Sequence, residues 1–215
     1  MKSVLILGAG NFGSMLARQM CEQGYEIMIV DARESLINAV MPYVTDAQIG
    51  DCTNPNFLRS LGVDNYDLCV VTISENFQTS LETTSLLKDL GAKRVISRAK
   101  NEIQEKFLLR NGADEVVYPE KQEALRLATK FASDQILDFL QFEGGYSVYE
   151  IAVPKDWSGK TLLELDLRRK HDLNLISVKS DGQVSIPRPD HQFREGDVVY
   201  VVGELKNIKK CFHIK

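Results

Sequence analysis

The chain has 215 residues, 44% apolar and 26% charged, with 26 basic against 30 acidic side chains and a formal net charge of −4. That length holds one large domain or a medium and a small one, with enough chain to bury a sizeable core. The acidic balance excludes the broad basic footprint of a nucleic-acid binder, and no apolar run approaches the ~20 residues that a spanning helix needs.

The N-terminus enters a strand-like run at once, with no n-region, h-region and cleavage site, so the sequence predicts a soluble, cytosolic chain whose partner can still be a membrane protein. Short apolar runs then recur: "VLIL" (4–7), "IMIV" (27–30), a weaker "DAQIG" (46–50), "LCVVTI" (68–73), "RVIS" (94–97) and "EVVY" (115–118). Helix-like segments lie between them. Phe12, Leu16 and Met20 repeat at four; 80–91 carries Leu81, Leu86, Leu87 and Leu90 and stops at Gly91; 101–112 stops likewise at Gly112. Buried strands alternating with helices predict βαβ units, and six of them a doubly wound, Rossmann-type parallel sheet.

Residues 119–142 read as one long helix entered at Pro119. Its apolar residues (Leu125, Leu127, Ala128, Phe131, Ala132, Ile136, Leu137, Phe139 and Leu140) cover more than one stripe, which predicts burial against a second copy or between two lobes. "EGGYS" (143–147) ends it. Beyond lie the strand-like "YSVYEIAVP", a capping-box pair Thr161 and Glu164, an Asp181-Gly182 hairpin turn, and "REGDVVYVVG" (194–203) running into a buried strand. The fold class is α/β: a Rossmann domain with the long helix over 1–140, then a small α+β lobe over 145–215. Cys21, Cys52, Cys69 and Cys211 form no CxxC, and His171, His191 and His213 have no zinc spacing and read as surface or loop residues.

The glycines of "GAGNFG" are Gly8, Gly10 and Gly13. Following a strand and opening a helix, they have the context that a phosphate cradle requires: a tight turn, a close backbone approach, and a helix lying against the sheet with its amides toward an anion. Asp31, eighteen positions beyond Gly13 at the end of the second strand, stands where a carboxylate accepts bonds from a ribose diol and repels a 2′-phosphate, which argues against NADP. A crevice of this kind serves three classes of protein: a sensor, a small NAD-dependent oxidoreductase using the second lobe for substrate, and an interaction domain without ligand. No Ser-x-x-x-Lys, Tyr-x-x-x-Lys or Cys/His pair stands out as acid, base or nucleophile, which shifts weight to the sensor.

The segments "GAGNFG", "IVDAR", "IGDCT", "VVTISENFQTSLETTSLLKDLGAKRVISRAKN" and "LLRNGADEVVYPEK", in that order, resemble an RCK domain, the regulator of potassium conductance. "YSVYEIAVP" onward resembles the small C-terminal lobe of the same family, and the whole is most similar to the TrkA/KtrA-type cytosolic subunits of Trk/Ktr potassium uptake. The resemblance implies a non-enzymatic subunit, cytoplasmic and peripheral on the inner face of the membrane. There it gates a potassium-translocating membrane subunit as a homo-oligomeric ring of dimers, commonly an octamer. It implies an adenine nucleotide (NAD(H), ADP or ATP) held by Gly8, Gly10, Asn11, Phe12 and Gly13, with Asp31 on the ribose, Asp51 and Cys52 toward adenine, Ser74 and Asn76 at the edge, and Arg98 toward phosphate. Asp51 and Ser74 read equally as helix caps and Arg98 as a surface charge. Glu120 matches a glutamate that helps hold a divalent cation, and reads equally as a first-turn acid. Asn11 departs from the arginine that ATP-responsive relatives often carry between the second and third glycines; it cannot neutralise a γ-phosphate, so NAD(H), ADP and AMP compete better with ATP. Arg168 and Asn174, six apart, with Ile176 beside them, match a pocket for cyclic di-AMP.

Overall fold

The computed structural model of the chain describes residues 2–131, 133 and 135–214. It divides into two compact units between Glu120 and Lys121.

Among the described residues, the first unit has a parallel six-stranded sheet of β1 (Ser3–Leu7), β2 (Glu26–Asp31), β3 (Asp46–Ile49), β4 (Leu68–Val71), β5 (Val95–Arg98) and β6 (Glu115–Val117), in the order β3-β2-β1-β4-β5-β6. Each apolar run marked in the sequence is one of these strands. For the inner strands the reason is burial on both faces; the edge strands β3 and β6 are exposed or half-buried. Leu5, Leu7, Val30, Cys69 and Val71 pack on one side with Leu58 and Leu87. Val4, Ile6, Ile27, Ile29 and Val70 pack on the other with Ala17, Ile37 and Val40. Strands covered twice lose the polar alternation and read as continuous hydrophobic runs. The covering helices are α1 (Asn11–Glu22), α2 (Glu34–Val40), α3 (Pro55–Ser60), α4 (Phe77–Asp89) and α5 (Glu102–Arg110).

Asparagines set three of the starts. The side chains of Asn54, Asn76 and Asn101 accept bonds from the first-turn amides of α3, α4 and α5. The Asn76 cap starts α4 at Phe77, three residues before the predicted position. Gly91 closes it in the left-handed region at φ +86°.

The helix predicted over 119–142 is shorter. Its helical part is α6 (Pro119–Phe131), and Ile136–Gln141 is a strand, β7, of the second unit's sheet. Ala132 lies outside the described residues. The short apolar run "ILDFLQ" fits either period by itself. Its strand character is settled by pairing with β8 (Tyr146–Ala152), where Phe139 faces Tyr149 and their rings stack at 5.8 Å. Phe131 on α6 is 78% exposed.

The rest of the second unit comprises α7 (Leu162–Leu165), α8 (Leu167–His171), β9 (Asn174–Ser180), β10 (Gln183–Ser185), β11 (Val198–Glu204) and α9 (Leu205–Cys211), with an antiparallel sheet in the order β10-β9-β11-β8-β7. Asp181 and Gly182 both have positive φ (+49° and +79°), the turn that a two-residue hairpin between β9 and β10 requires. The core gathers Trp157 against Phe193 (5.3 Å between centroids) and Phe212 (4.9 Å), with Ile151, Val199 and Ile208.

The capping box forms as the sequence predicts: Thr161 Oγ1 accepts from the Glu164 amide at 3.2 Å, and Glu164 Oε2 accepts from the Thr161 amide at 2.7 Å. Thr161→Ala is expected to cost about 1 kcal/mol. Denaturant unfolding followed at Trp157, the chain's one tryptophan, reads this directly; an unshifted midpoint would mean that the box contributes nothing.

Candidate functional site

The glycine turn joins β1 to α1 at the carboxyl end of the sheet, beside the β1/β4 junction where the strand order reverses. Gly8 takes φ +113°, which a side chain resists. Its carbonyl accepts a 2.6 Å bond from the buried Thr72 hydroxyl, tying the turn to the end of β4. Gly13 is required by packing: a Cβ there would collide with the Gly8 carbonyl oxygen and stand 2.6 Å from Thr72 Oγ1. Gly10 is the N-cap of α1, and a Cβ on it would meet nothing within 4 Å. It offers no side-chain cap, and the first turn carries no acid. The amides of Asn11, Phe12 and Gly13 lack intrahelical acceptors and share the positive end of the helix dipole. Open space before Gly10 and unshared amides behind it fit a phosphate.

Asp31 ends β2 on the side of the turn and is 7% exposed. Its Oδ2 accepts from the Ala9 amide at 2.8 Å and from Arg33 Nη2 at 3.3 Å. Its Oδ1 accepts from the Arg33 amide at 2.9 Å and from Arg33 Nε at 3.0 Å. Burial acts to raise the Asp31 pKa, but the Arg33 guanidinium and the two amides outweigh it and hold the carboxyl below its ordinary value. Arg33 also donates from Nη1 to Glu75 Oε1 at 2.7 Å. The bonds to Asp31 and Glu75 raise its own pKa further. Arg33 and Glu75 escaped the sequence reading; an arginine two positions past the acidic residue was the signal available.

Asp51 and Cys52 lie at the same edge, after β3, where the Gly50 amide bonds the Asp31 carbonyl at 3.1 Å. Asp51 does not cap α3, which Asn54 caps. Its Oδ1 instead accepts from the Thr53 amide (2.9 Å) and hydroxyl (2.7 Å), bonds that lower its pKa. Burial, with Asp31 and Asp51 nearby, pushes the Cys52 thiol up to about 12, so it stays protonated. Ser74 is half-buried in the β4–α4 connection and does not cap α4, because Asn76 holds that position with its own side chain.

Across the switch point, Arg98 at the end of β5 is no solvated surface charge. Its side chain is 14% exposed and pairs with Glu120, and its guanidinium carbon stands 5.3 Å from the centre of the Phe12 ring. Its Nε is buried without a hydrogen-bond partner. Phe12, Arg98 and Glu120 therefore meet at one place, brought from α1, β5 and the start of α6. The Glu120 carboxylate, expected to share a divalent cation with the nucleotide phosphates, is paired with Arg98, and no group of three or more His, Cys, Asp or Glu that could hold a metal by protein ligands alone occurs among the described residues.

In the second unit, Arg168 and Asn174 line one cavity of about 240 Å³ with Leu163, Leu173 and Pro189. Ile176 does not line it; its side chain is 45% exposed elsewhere on β9. His191 lies in the connection between β10 and β11 and His213 is exposed, as expected, whereas His171 belongs to α8; His171 and His191 are half-buried, with Nδ1 and Nε2 respectively buried and unpartnered. No helix among the described residues is long and apolar enough to cross a membrane.

A family model described as the TrkA-N domain matches residues 4–119, and one described as the TrkA-C domain matches residues 148–214. The chain is similar to the Ktr system potassium uptake protein C of Bacillus subtilis (strain 168), 34% identical over 219 residues and covering 100% of this chain and 99% of that protein. It is also similar to the Ktr system potassium uptake protein A of the same organism, 30% identical over 210 residues and covering 97% and 95%. Among solved structures it is similar in fold to the GsuK channel, with a TM-score of 0.68 at 17% identity over 99% of this chain and 39% of that one. A structure described as the GsuK channel bound to NAD gives a TM-score of 0.54 at 22% identity, over 100% of this chain and 38% of that one. The chain thus spans about two fifths of those channel chains. With both domain families matched in order and a relative at 34% identity matched over 99% of its length, the chain belongs to the TrkA-N/TrkA-C family, which it shares with the potassium uptake proteins of Ktr systems.

Proposed function

We propose that this chain is a nucleotide-sensing regulatory subunit that gates a potassium-translocating membrane partner of the Trk/Ktr type. It acts by binding, not by turning a substrate over. The observation that carries this reading is the glycine turn: unshared amides at the start of α1, open space before Gly10, and charged groups on both flanks. Gly10, Asn11, Phe12 and Gly13 hold phosphate, and the buried, unpartnered Nε of Arg98 faces the same task from β5. Asp31 reads the ribose, with Asp51, Cys52, Ser74 and Asn76 bounding the base. Asn11 brings no charge to a third phosphate, so NAD(H) and ADP are favoured over ATP.

The same reading makes the protein a cytoplasmic ring of dimers seated on its membrane partner. Support comes from the exposed apolar side chains of Leu125, Leu127 and Phe131 on α6, and from Leu140 on β7 with Phe142 and Tyr146 at the β7–β8 turn, all in a protein closely matched in length to named potassium uptake proteins. The Arg168–Asn174 cavity is the place for cyclic di-AMP as a second ligand. Ligand gates the partner only insofar as it binds one ring shape better than the other. Moving a two-state balance from 1:99 to 99:1 takes ~10⁴-fold preference, a demand that several subunits divide.

Calorimetric titration of the purified protein with ADP, ATP, NADH and cyclic di-AMP tests the proposal. Micromolar binding of ADP or NADH, with ATP no tighter than ADP, is expected. No heat with any of them removes the sensor reading, and hydride exchange from bound NADH replaces it with an oxidoreductase.

A further inference from the structure

The ribose carboxylate is already in use. A carboxylate has about four lone-pair sites, and Asp31 accepts four hydrogen bonds, one from Ala9 and three from Arg33. The two amides are fixed by the backbone. A ribose diol, with two O–H donors, can reach Asp31 only by replacing Arg33 Nε and Nη2. Arg33 does not swing freely either. It leaves the β2–α2 connection and is held by Glu75 in the β4–α4 connection. β1 lies between β2 and β4, and neighbouring strands are ~4.8 Å apart, so this side chain crosses above the end of β1, where the glycine turn begins.

The same side chain changes what a 2′-phosphate would meet. Read from the sequence, Asp31 is a lone acid that repels it. In the structure Asp31 shares the Arg33 guanidinium with Glu75, so the three groups together carry one negative charge in place of two, and the N–H groups of Nη1 and Nη2 not spent on the carboxylates remain for phosphate oxygens. The side chain of Arg33 is 46% exposed, so a ligand can approach it from solvent.

We propose that Arg33 is the specificity-determining residue for the ribose: it competes with a free diol for Asp31 and supplies the cation for a 2′-phosphate, so the wild-type crevice discriminates weakly between the two. This rests on the nucleotide reading above and deepens it. Removing the guanidinium acts on the two ligands in opposite directions. A diol gains two lone pairs on Asp31, whereas a 2′-phosphate faces Asp31 and Glu75 with no compensating cation.

The test is a pair of titrations, NADH and NADPH, against the full-length wild-type chain, Arg33→Ala and Arg33→Lys. Wild type is expected to bind the two within about tenfold of each other. Arg33→Ala should bind NADH about 3- to 10-fold tighter and NADPH at least tenfold weaker, opening a gap on the order of 100-fold. Arg33→Lys keeps the charge but loses the fork, so it should retain most NADPH binding while NADH tightens less. A gap that stays the same in wild type and Arg33→Ala, or a parallel change for both ligands, overturns the assignment and leaves the nucleotide reading intact. If none of the three proteins binds either ligand, the nucleotide reading falls, and the role of Arg33 with it.

Discussion

Gly13→Ala is expected to destabilise the first unit by about 3 kcal/mol, at the upper end of the range for overpacking a tight site, and to abolish nucleotide binding. The added methyl has nowhere to go. It meets the Gly8 carbonyl, which is pinned by Thr72, and Thr72 Oγ1 itself stands 2.6 Å away. Relief requires α1 to lift from the sheet, which uncovers Ala17, fully buried one turn on. Gly10→Ala separates packing from binding. Its φ of −65° suits any residue and its Cβ would face open space. Stability should therefore change by no more than ~0.5 kcal/mol, while ligand affinity falls because the methyl occupies the phosphate's place. Thermal unfolding beside ligand titration gives both readouts. Gly13→Ala at wild-type stability, or Gly10→Ala at wild-type affinity, would contradict the geometry of the turn.

Asp31→Ala is the second large effect. It removes a buried carboxylate and leaves the Ala9 amide and the inward donors of Arg33 without their acceptor. About 2–3 kcal/mol of stability should be lost, together with diol binding. The pH dependence follows from the lowered pKa. A carboxylate whose folded value lies below its unfolded one stabilises the protein above the unfolded value of ~3.9, and that contribution disappears as pH falls through the lowered folded value. The difference in stability between wild type and Asp31→Ala should accordingly be constant from neutral pH down to about 5 and shrink on further acidification. A difference that grows in acid would reverse the sign of the coupling.

The parallel sheet was legible because its inner strands are covered on both faces, and the glycine turn because its spacing is tied to a strand before and a helix after. Asp31 was legible from position alone; its state was not. Whether that carboxylate stands open depends on Arg33 and on Glu75, 42 positions further along the chain, and no local pattern joins those two. The run at 136–141 misled for a related reason. Its apolar residues suit a helix continued from α6, and only the facing strand at Tyr146–Ala152 makes it a strand. Local competition among caps was equally hidden. "DCTN" offers Asp51, Thr53 and Asn54 as candidates, and Asn54 takes the cap while Asp51 turns back on Thr53. Thr161 and Glu164, by contrast, satisfy each other three residues apart, so their pattern carried its own confirmation.

If the amides at the start of α1 bind phosphate without altering it chemically, titrating the ¹⁵N-labelled protein with ADP should move backbone amide signals saturably at residues 8–13, 31–33 and 98, with ADP recovered unchanged. Shifts confined to residues 148–214, or ADP consumed on standing, would contradict this reading.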